Sequence, residues 1–227
     1  MKEPDELVLP GKSKHFDDNS EASDPGRFNL SNAKFRLFFL DLYKKKGGFL
    51  GFGSHYEYDV EASKQKHQVD MRLAIAEYMA NGLCDMAMVV SEEPLRIATY
   101  SYDADSAVML SFNQYFRKQY KLTKGQRMLS VNTFSMGEGF AGDLTLGEKM
   151  EGVFDNIYPL IVLFLSNNED RIIKKIASIP EERWKHFEVR IEDYLKQNGD
   201  KVARSGKPGF SGTPARIGEG VLQKKMR

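Results

Sequence analysis

The sequence predicts an α+β fold: a central antiparallel meander of about four strands, with helices at both ends packed on it and a disordered tail on each side. Three observations lead to this prediction. Apolar residues recur with helical spacing in the first and last thirds of the body, strand-like runs occupy the middle, and both chain ends lose apolar periodicity. We therefore expect an acidic tail at 1–27, a single domain at 28–199 and a basic tail with glycine and proline at 200–227.

Two helices are predicted before the meander. The first is expected over 31–45, capped by Ser31 or Asn32, because its aromatic and leucine residues fall at i, i+3, i+4 and i+7. The second is expected over 61–81, with Gly82 just beyond its end. Between them, tyrosines and a valine spaced by twos predict a twisted strand or hairpin arm over 49–60.

The strands of the meander are predicted at 85–90, 95–102 and 107–112, with a fourth at 127–134. Glu92-Glu93-Pro94 and Asp103-Ala104-Asp105 supply turn chemistry between the first three. Parallel neighbours would need connections of a dozen or more residues, so strands this close together are expected to be antiparallel.

The last third of the body is predicted to be helical. A helix is expected from a capping box at Thr145 and Glu148 to Phe164, either kinked or divided in two at Pro159. Asn168 should cap a short helix, and Pro180 should open the last helix, over 181–197. The apolar face of that last helix comprises Trp184, Phe187, Ile191, Tyr194 and Leu195. The simplest arrangement packs the helices on one face of the sheet.

Composition favours a protein of the cytoplasm. The longest apolar run, at 160–165, is six residues, whereas about 20 are needed to span a bilayer, so no membrane insertion is expected. Cys84 is the single cysteine, which excludes an internal disulfide and fits a reducing compartment. It is interpreted as a small buried apolar residue.

Short motifs do not predict a cofactor, a metal or a catalytic residue. Residues 137–142 match G-x-G-x-x-G, but the residues after this motif do not predict the second parallel strand that a dinucleotide-binding unit requires. The four histidines are scattered, and no two have the spacing that places two metal ligands on one helix face. His55, beside Glu57 and Asp59, forms the only local cluster with acid–base potential, and His186 is placed on a solvent-facing side of its helix.

Charge at the chain ends indicates a binding function. Residues 201–227 hold seven Lys or Arg and one acid, with a few apolar residues between them. We expect a non-enzymatic adaptor or accessory subunit whose partners are other protein subunits. The alternative is a nucleic-acid-binding protein that uses the basic tail, and an enzyme without a recognisable motif is the third possibility. The residues expected to contact the partner are Lys201, Arg204, Lys207, Phe210, Arg216, Ile217, Leu222, Lys224, Lys225 and Arg227.

Overall fold

The computed structural model describes residues 6–7, 24–47, 55–135, 141–145, 147 and 156–208. Within these residues the chain forms a curled six-stranded sheet covered by helices, together with two separate two-stranded antiparallel sheets. The α+β prediction is confirmed, although the sheet contains six strands where about four were expected.

The N-terminal region pairs two short strands and then begins a helix. Strand β1 (Glu6–Leu7) is antiparallel to β2 (Leu30–Ser31), and α1 (Asn32–Phe38) follows at once. Ser31 caps α1 as predicted, because its hydroxyl accepts a hydrogen bond from the Lys34 amide.

The prediction of one helix over 31–45 is wrong beyond residue 38. Phe39 leaves helical geometry, a 3₁₀ turn spans Leu40–Leu42, and the chain continues as β3 (Tyr43–Lys46). Strand β4 (His55–Tyr58) pairs with β3 in a hairpin that buries Tyr43 and Tyr58. Burial of this tyrosine pair therefore outweighs the helical spacing. The rest of the strand predicted over 49–60 lies partly outside the described residues.

The prediction of a single helix over 61–81 is also wrong. The segment divides into α2 (Val60–His67) and α3 (Met71–Asn81). Gln68 ends α2 with a left-handed backbone, φ 64°, and the Asp70 side chain caps α3 by accepting from two backbone amides.

The central sheet extends the predicted meander. Its strands are β5 (Leu83–Glu92), β6 (Leu95–Ser101), β7 (Ser106–Phe112), β8 (Arg127–Ser135), β9 (Asn156–Ile161) and β10 (Arg204–Ser205). Their spatial order is β10-β7-β6-β5-β8-β9, and only the β10–β7 pair is parallel. The antiparallel β5–β6–β7 meander is confirmed. The fourth strand, β8, pairs with β5, because α4 (Gln114–Tyr120), which was not predicted, lies between β7 and β8 in the chain.

The helix predicted over 145–164 is wrong where the structure describes it. Residues 156–161 form strand β9, followed by a 3₁₀ turn over Val162–Phe164. Pro159 is tolerated because β9 lies at the edge of the sheet, where a missing N–H on the free side disrupts no ladder. Glu148 of the proposed capping box lies outside the described residues.

The last two predicted helices are confirmed. Asn168 caps α5 (Glu169–Ser178) by accepting from the Arg171 amide, and Pro180 precedes α6 (Glu181–Asn198). Trp184, Phe187 and Tyr194 are fully buried on α6, as the apolar face predicted.

Helices cover both faces of the sheet, so the expectation of one covered face is wrong. Met109 packs with Trp184 and Phe187 of α6, whereas the next residue, Leu110, packs with Phe116 of α4. Successive side chains of a strand point to opposite faces, so α4 and α6 lie on opposite sides. The sheet is also curled, so that its two edge strands approach each other. The Arg204 side chain on edge strand β10 donates a hydrogen bond to the Ile157 carbonyl on the other edge strand, β9.

Candidate functional site

The structure describes three of the residues predicted to contact a partner, Lys201, Arg204 and Lys207. Lys201 is exposed near the end of α6. The other residues predicted to contact the partner lie outside the described part of the chain: Phe210, Arg216, Ile217, Leu222, Lys224, Lys225 and Arg227.

Arg204 lies inside the body. Its Nε and one terminal nitrogen donate to the two carboxylate oxygens of Asp143 at 2.6 and 2.5 Å, and its other terminal nitrogen donates to Asn156 Oδ1 and the Ile157 carbonyl, both at 2.8 Å. The Arg204 side chain is only 15% exposed. This differs from the expectation of a free cation on a tail starting at residue 200, because pairing of β10 with β7 carries the ordered chain past Gly199.

Asp143 is itself held by the end of α6. Its side chain accepts a hydrogen bond from the Tyr194 hydroxyl at 3.3 Å, and its backbone carbonyl accepts one from the side-chain amide of Asn198 at 2.9 Å. The Arg204–Asp143 pair therefore joins both edges of the curled sheet to the last helix.

Lys207 remains accessible. Its side chain is 43% exposed, and its ammonium group lies 4.7 Å from the centroid of the Phe39 ring and 3.9 Å from a carboxylate oxygen of Asp41. A cation held over a ring can still bind an acidic partner, because the ring satisfies only one side of it.

A groove of about 190 Å³ lies where the two edges of the sheet meet. We call it the seam groove, and its lining includes Phe39, His67, Ile157, Arg204, Lys207 and Pro208. Burial, followed by the nearby charges of Lys66 and Lys207, lowers the pKa of His67 below its usual value of 6.5. The imidazole is therefore neutral at pH 7, and the groove combines apolar surface with the charge of Lys207.

A second cluster joins α6 to the turn between β6 and β7. The Tyr100 hydroxyl donates to Asp105 Oδ1 at 2.7 Å, and His186 Nε2 lies 2.7 Å from the same oxygen. Asp105 is 1% exposed and has a positive φ of 42°. Burial alone would raise the pKa of Asp105, but the hydrogen bonds from His186 and Tyr100 outweigh it and leave the pKa below 3.8.

Asp85 and Arg183 lie beside this cluster. Asp85 accepts a hydrogen bond from the Tyr102 amide at 2.6 Å, and an Arg183 terminal nitrogen lies 3.4 Å from its other oxygen. Burial raises the pKa of Asp85 to about 7, although the Tyr102 amide and Arg183 oppose the shift. A cavity of about 180 Å³ opens next to both acids, lined by Met86, Tyr100, Tyr102, Glu182, Arg183 and His186.

The geometry of the Tyr100–Asp105–His186 cluster fits two roles, one catalytic and one structural. An aspartate that hydrogen-bonds a histidine fixes the imidazole's orientation, which is the geometry of a general base, and the His186 side chain, 36% exposed, borders the cavity. The same bonds also fasten α6 to the β6–β7 turn. Backbone packing favours the second role, because Gly147 is pressed against Asp105 so closely that a Cβ there would clash with its carboxylate.

Sequence reasoning missed this cluster by placing His186 on a solvent-facing side. The residue lies between Trp184 and Phe187 of the buried face, which was the available signal. Its partner Asp105 is 81 positions away in the chain, so no spacing motif links them. His55, the residue singled out for acid–base potential, is exposed on β4 opposite Lys46.

Cys84 is a buried apolar residue, as predicted. It is 6% exposed, and burial raises the pKa of its thiol to about 12. Among the described residues, no three His, Cys, Asp or Glu side chains are grouped so that they could hold a metal ion. In the same part of the chain, every helix is too short or too polar to cross a membrane.

Comparison with known proteins gives no further indication of function. No family model, no curated protein and no solved structure matches the chain. A functional proposal therefore depends on the geometry described above.

Proposed function

We propose that this protein is a non-enzymatic adaptor or accessory subunit of a larger cytoplasmic assembly, which binds a protein partner through the segment after Pro208 and the adjoining seam groove. The observation that carries the proposal is the accessible cation of the seam groove. The Lys207 side chain is 43% exposed at this groove, and the next residue, Pro208, also lines it.

The composition of the following residues supports a protein partner. Residues 209–227 contain four Lys or Arg, one acid and the apolar residues Phe210, Ile217, Val221, Leu222 and Met226. Cations raise the association rate with an acidic surface, whereas apolar side chains slow dissociation once they are buried. Pro159 and the stem of Lys207 extend that apolar surface onto the body.

The contacts that Arg204 makes within the body remove it from the residues proposed to touch the partner. The arginine is already bound to Asp143 and both edge strands, so it stabilises the platform and does not itself reach a partner. The proposed contact residues are then Lys201, Lys207 and the cationic and apolar residues beyond Pro208.

The Tyr100–Asp105–His186 cluster is assigned a structural role in this proposal. Both donors converge on one oxygen of a buried aspartate, which ties the last helix to the meander. If the His186→Asn variant folds normally and keeps its function, the result fits this assignment. Loss of function in a well-folded His186→Asn protein would instead make the cluster an active site.

The proposal is tested by purifying three forms from the native host at low salt: the full chain, a chain ending at Pro208, and an Ile217→Ser/Leu222→Ser variant that keeps every cation. We expect one protein to accompany the full chain in a fixed ratio and to be lost from both altered forms. Loss from the shortened chain alone, with nuclease-sensitive material in the full-chain sample, would favour the nucleic-acid alternative. Equal recovery of the partner with all three forms would refute a contact beyond Pro208.

A further inference from the structure

The hairpin of β3 and β4 carries an exposed aromatic ring among cations. Tyr56 on β4 is 50% exposed and lies opposite Lys45 of β3, so their side chains share one face. The Arg36 guanidinium carbon, from α1, lies 4.2 Å from the centroid of the Tyr56 ring. We call this surface, formed by Arg36, Lys45 and Tyr56, the hairpin patch.

The hairpin patch is anchored by a buried tyrosine pair beside it on the same face of the hairpin. Tyr43 and Tyr58 pair directly across the same two strands, both are buried, and their rings lie 5.5 Å apart. The Tyr58 hydroxyl also donates to Asp70, the capping residue of α3. A base stacking on Tyr56 would thus meet a ring whose backbone is already ordered, which lowers the entropy cost of binding.

Charge on the hairpin favours a polyanion. The two strands contain three lysines and a single acid, Glu57, and Arg36 adds a fourth cation. Lys44 and Lys46 alternate with Lys45 and lie on the opposite face of the hairpin, where Lys44 contacts Asp59 and Lys46 lies 3.3 Å from Glu57. They add to the positive charge around the hairpin, whereas Lys45 is the lysine placed beside Tyr56 to hold a phosphate.

The exposed ring distinguishes a single strand from other polyanions. An acidic peptide needs only the cations, and the bases of a duplex are stacked on each other and cannot lie flat on Tyr56. Unpaired bases stack on aromatic rings and on arginine planes with little sequence preference. Tyr56 and Arg36 supply both kinds of surface in contact with each other.

We infer that the hairpin patch binds single-stranded nucleic acid, with a base stacked on Tyr56 and the adjoining phosphates held by Lys45 and Arg36. This site shares no residue with the contact proposed above, so it stands or fails independently of the proposed function.

The test is fluorescence anisotropy of the full chain with a fluorescein-labelled thymidine 20-mer, and with a duplex of the same length, between 50 and 200 mM salt. Tyr56→Ala should weaken binding of the 20-mer roughly 5- to 100-fold, because stacking of one base is worth about 1–3 kcal/mol. Tyr56→Phe keeps the ring and should bind within about twofold of the unaltered chain. Lys45→Gln should reduce the salt slope by about 0.7, the value for one phosphate contact on a single strand.

Helix α4 offers a matched control. Tyr115 is 46% exposed and Lys118 is exposed on the same helix, so Tyr115→Ala and Lys118→Gln make the same chemical changes elsewhere. Both should leave the affinity within about twofold, because neither residue belongs to the hairpin patch. Melting temperatures of all variants check that the fold is retained.

Three results would overturn the inference. One is the absence of binding to the 20-mer at 50 mM salt. Another is equal affinity of Tyr56→Ala and the unaltered chain, which would assign any binding to other cations, those beyond Pro208 included. The third is equal or tighter binding of the duplex, which would exclude stacking of unpaired bases.

Discussion

Arg204 and Asp143 form a two-point ion pair, with N–O distances of 2.5 and 2.6 Å, that bridges the open side of the curled sheet. Both side chains are nearly buried, and Arg204 uses its remaining donor on strand β9. The pair therefore closes the sheet without a continuous strand ladder between β9 and β10.

Arg204→Ala should lower the free energy of unfolding by about 3–5 kcal/mol, because it leaves the Asp143 carboxylate buried without its counter-charge. Arg204→Lys should recover only part of the loss, since an ammonium group cannot make the planar two-point contact. Urea unfolding of both variants, with Lys207→Ala as the exposed control, measures the difference. Equal stability of Arg204→Ala and Lys207→Ala would show that the pair is not a main stabilising contact.

Chain truncation should separate folding from binding. A chain ending at residue 200 lacks β10 and should melt on the order of 10 °C lower, because it loses Arg204 and the hydrogen bond from the Gly206 amide to the Ser111 carbonyl. A chain ending at Pro208 retains these contacts and should melt within about 2 °C of the full chain. Differential scanning calorimetry makes the comparison. An identical melting temperature for the two truncated chains would contradict the structural role of 201–208.

Removal of either donor to Asp105 should destabilise the fold. Tyr100→Phe and His186→Ala are each expected to cost about 1.5–3 kcal/mol, the range for hydrogen bonds to a charged group. Because the pKa of Asp105 is lower in the folded state, its stabilisation is complete above about pH 4 and is lost as the pH falls through the folded-state pKa. Both variants should therefore lose less stability on acidification than the unaltered chain. His55→Ala, which alters an exposed histidine, is the control in chemical unfolding at pH 7 and pH 3.

Asp85 should have the opposite pH dependence. Burial raises its pKa to about 7, so the folded state holds the proton that the unfolded chain releases near pH 4. Its contribution to stability is full below about pH 4 and decreases by up to about 1.4 kcal/mol per pH unit until about pH 7. The groups facing it are Arg183 from α6, Asp103 in the turn and the Tyr102 and Met86 amides.

Asp85→Asn removes this titration and should flatten the stability profile between pH 4 and pH 7. The measurement is the urea midpoint at half-unit pH intervals. A slope in the Asn variant as steep as in the unaltered chain would show that Asp85 is ionised throughout this range.

Cys84 should be protected from alkylation in the folded protein. Burial raises the pKa of its thiol to about 12, so little thiolate exists at pH 8 and little of it is accessible. Iodoacetamide labelling followed by mass spectrometry should be slow in buffer and rapid in urea. Cys84→Ala should bind any partner as the unaltered chain does, whereas fast labelling of the native protein would mean that the region opens readily.

Local sequence signals predicted the helices and strands in which residue type and tertiary packing favour the same structure. Asn168 and Pro180 mark the starts of α5 and α6, and the turn residues between β5, β6 and β7 place the meander. Apolar periodicity failed at 156–161, where a short segment buried in part on both sides can satisfy a helical or a strand pattern equally well. Pairing with β8 decided between them.

The candidate sites were harder to predict for a related reason. Asp105 and His186, or Asp143 and Arg204, carry no local signal that links one partner to the other, because each pair is assembled across many residues of chain. Arg204 illustrates the consequence. Its flanking glycine, proline and lysine residues resemble a solvated tail, yet two residues of parallel pairing with β7 bring its side chain inside.

The sequence by itself determined the α+β class, the central meander, the buried face of α6 and the burial of Cys84, because these depend on residue type and local spacing. The tertiary structure alone decided the curl of the sheet, the replacement of a helix by β9, and the internal contacts of Arg204 with Asp143 and of His186 with Asp105. The physical reason is that burial and hydrogen bonding between distant residues outweigh local propensities, which differ by less than about 1 kcal/mol per residue apart from proline.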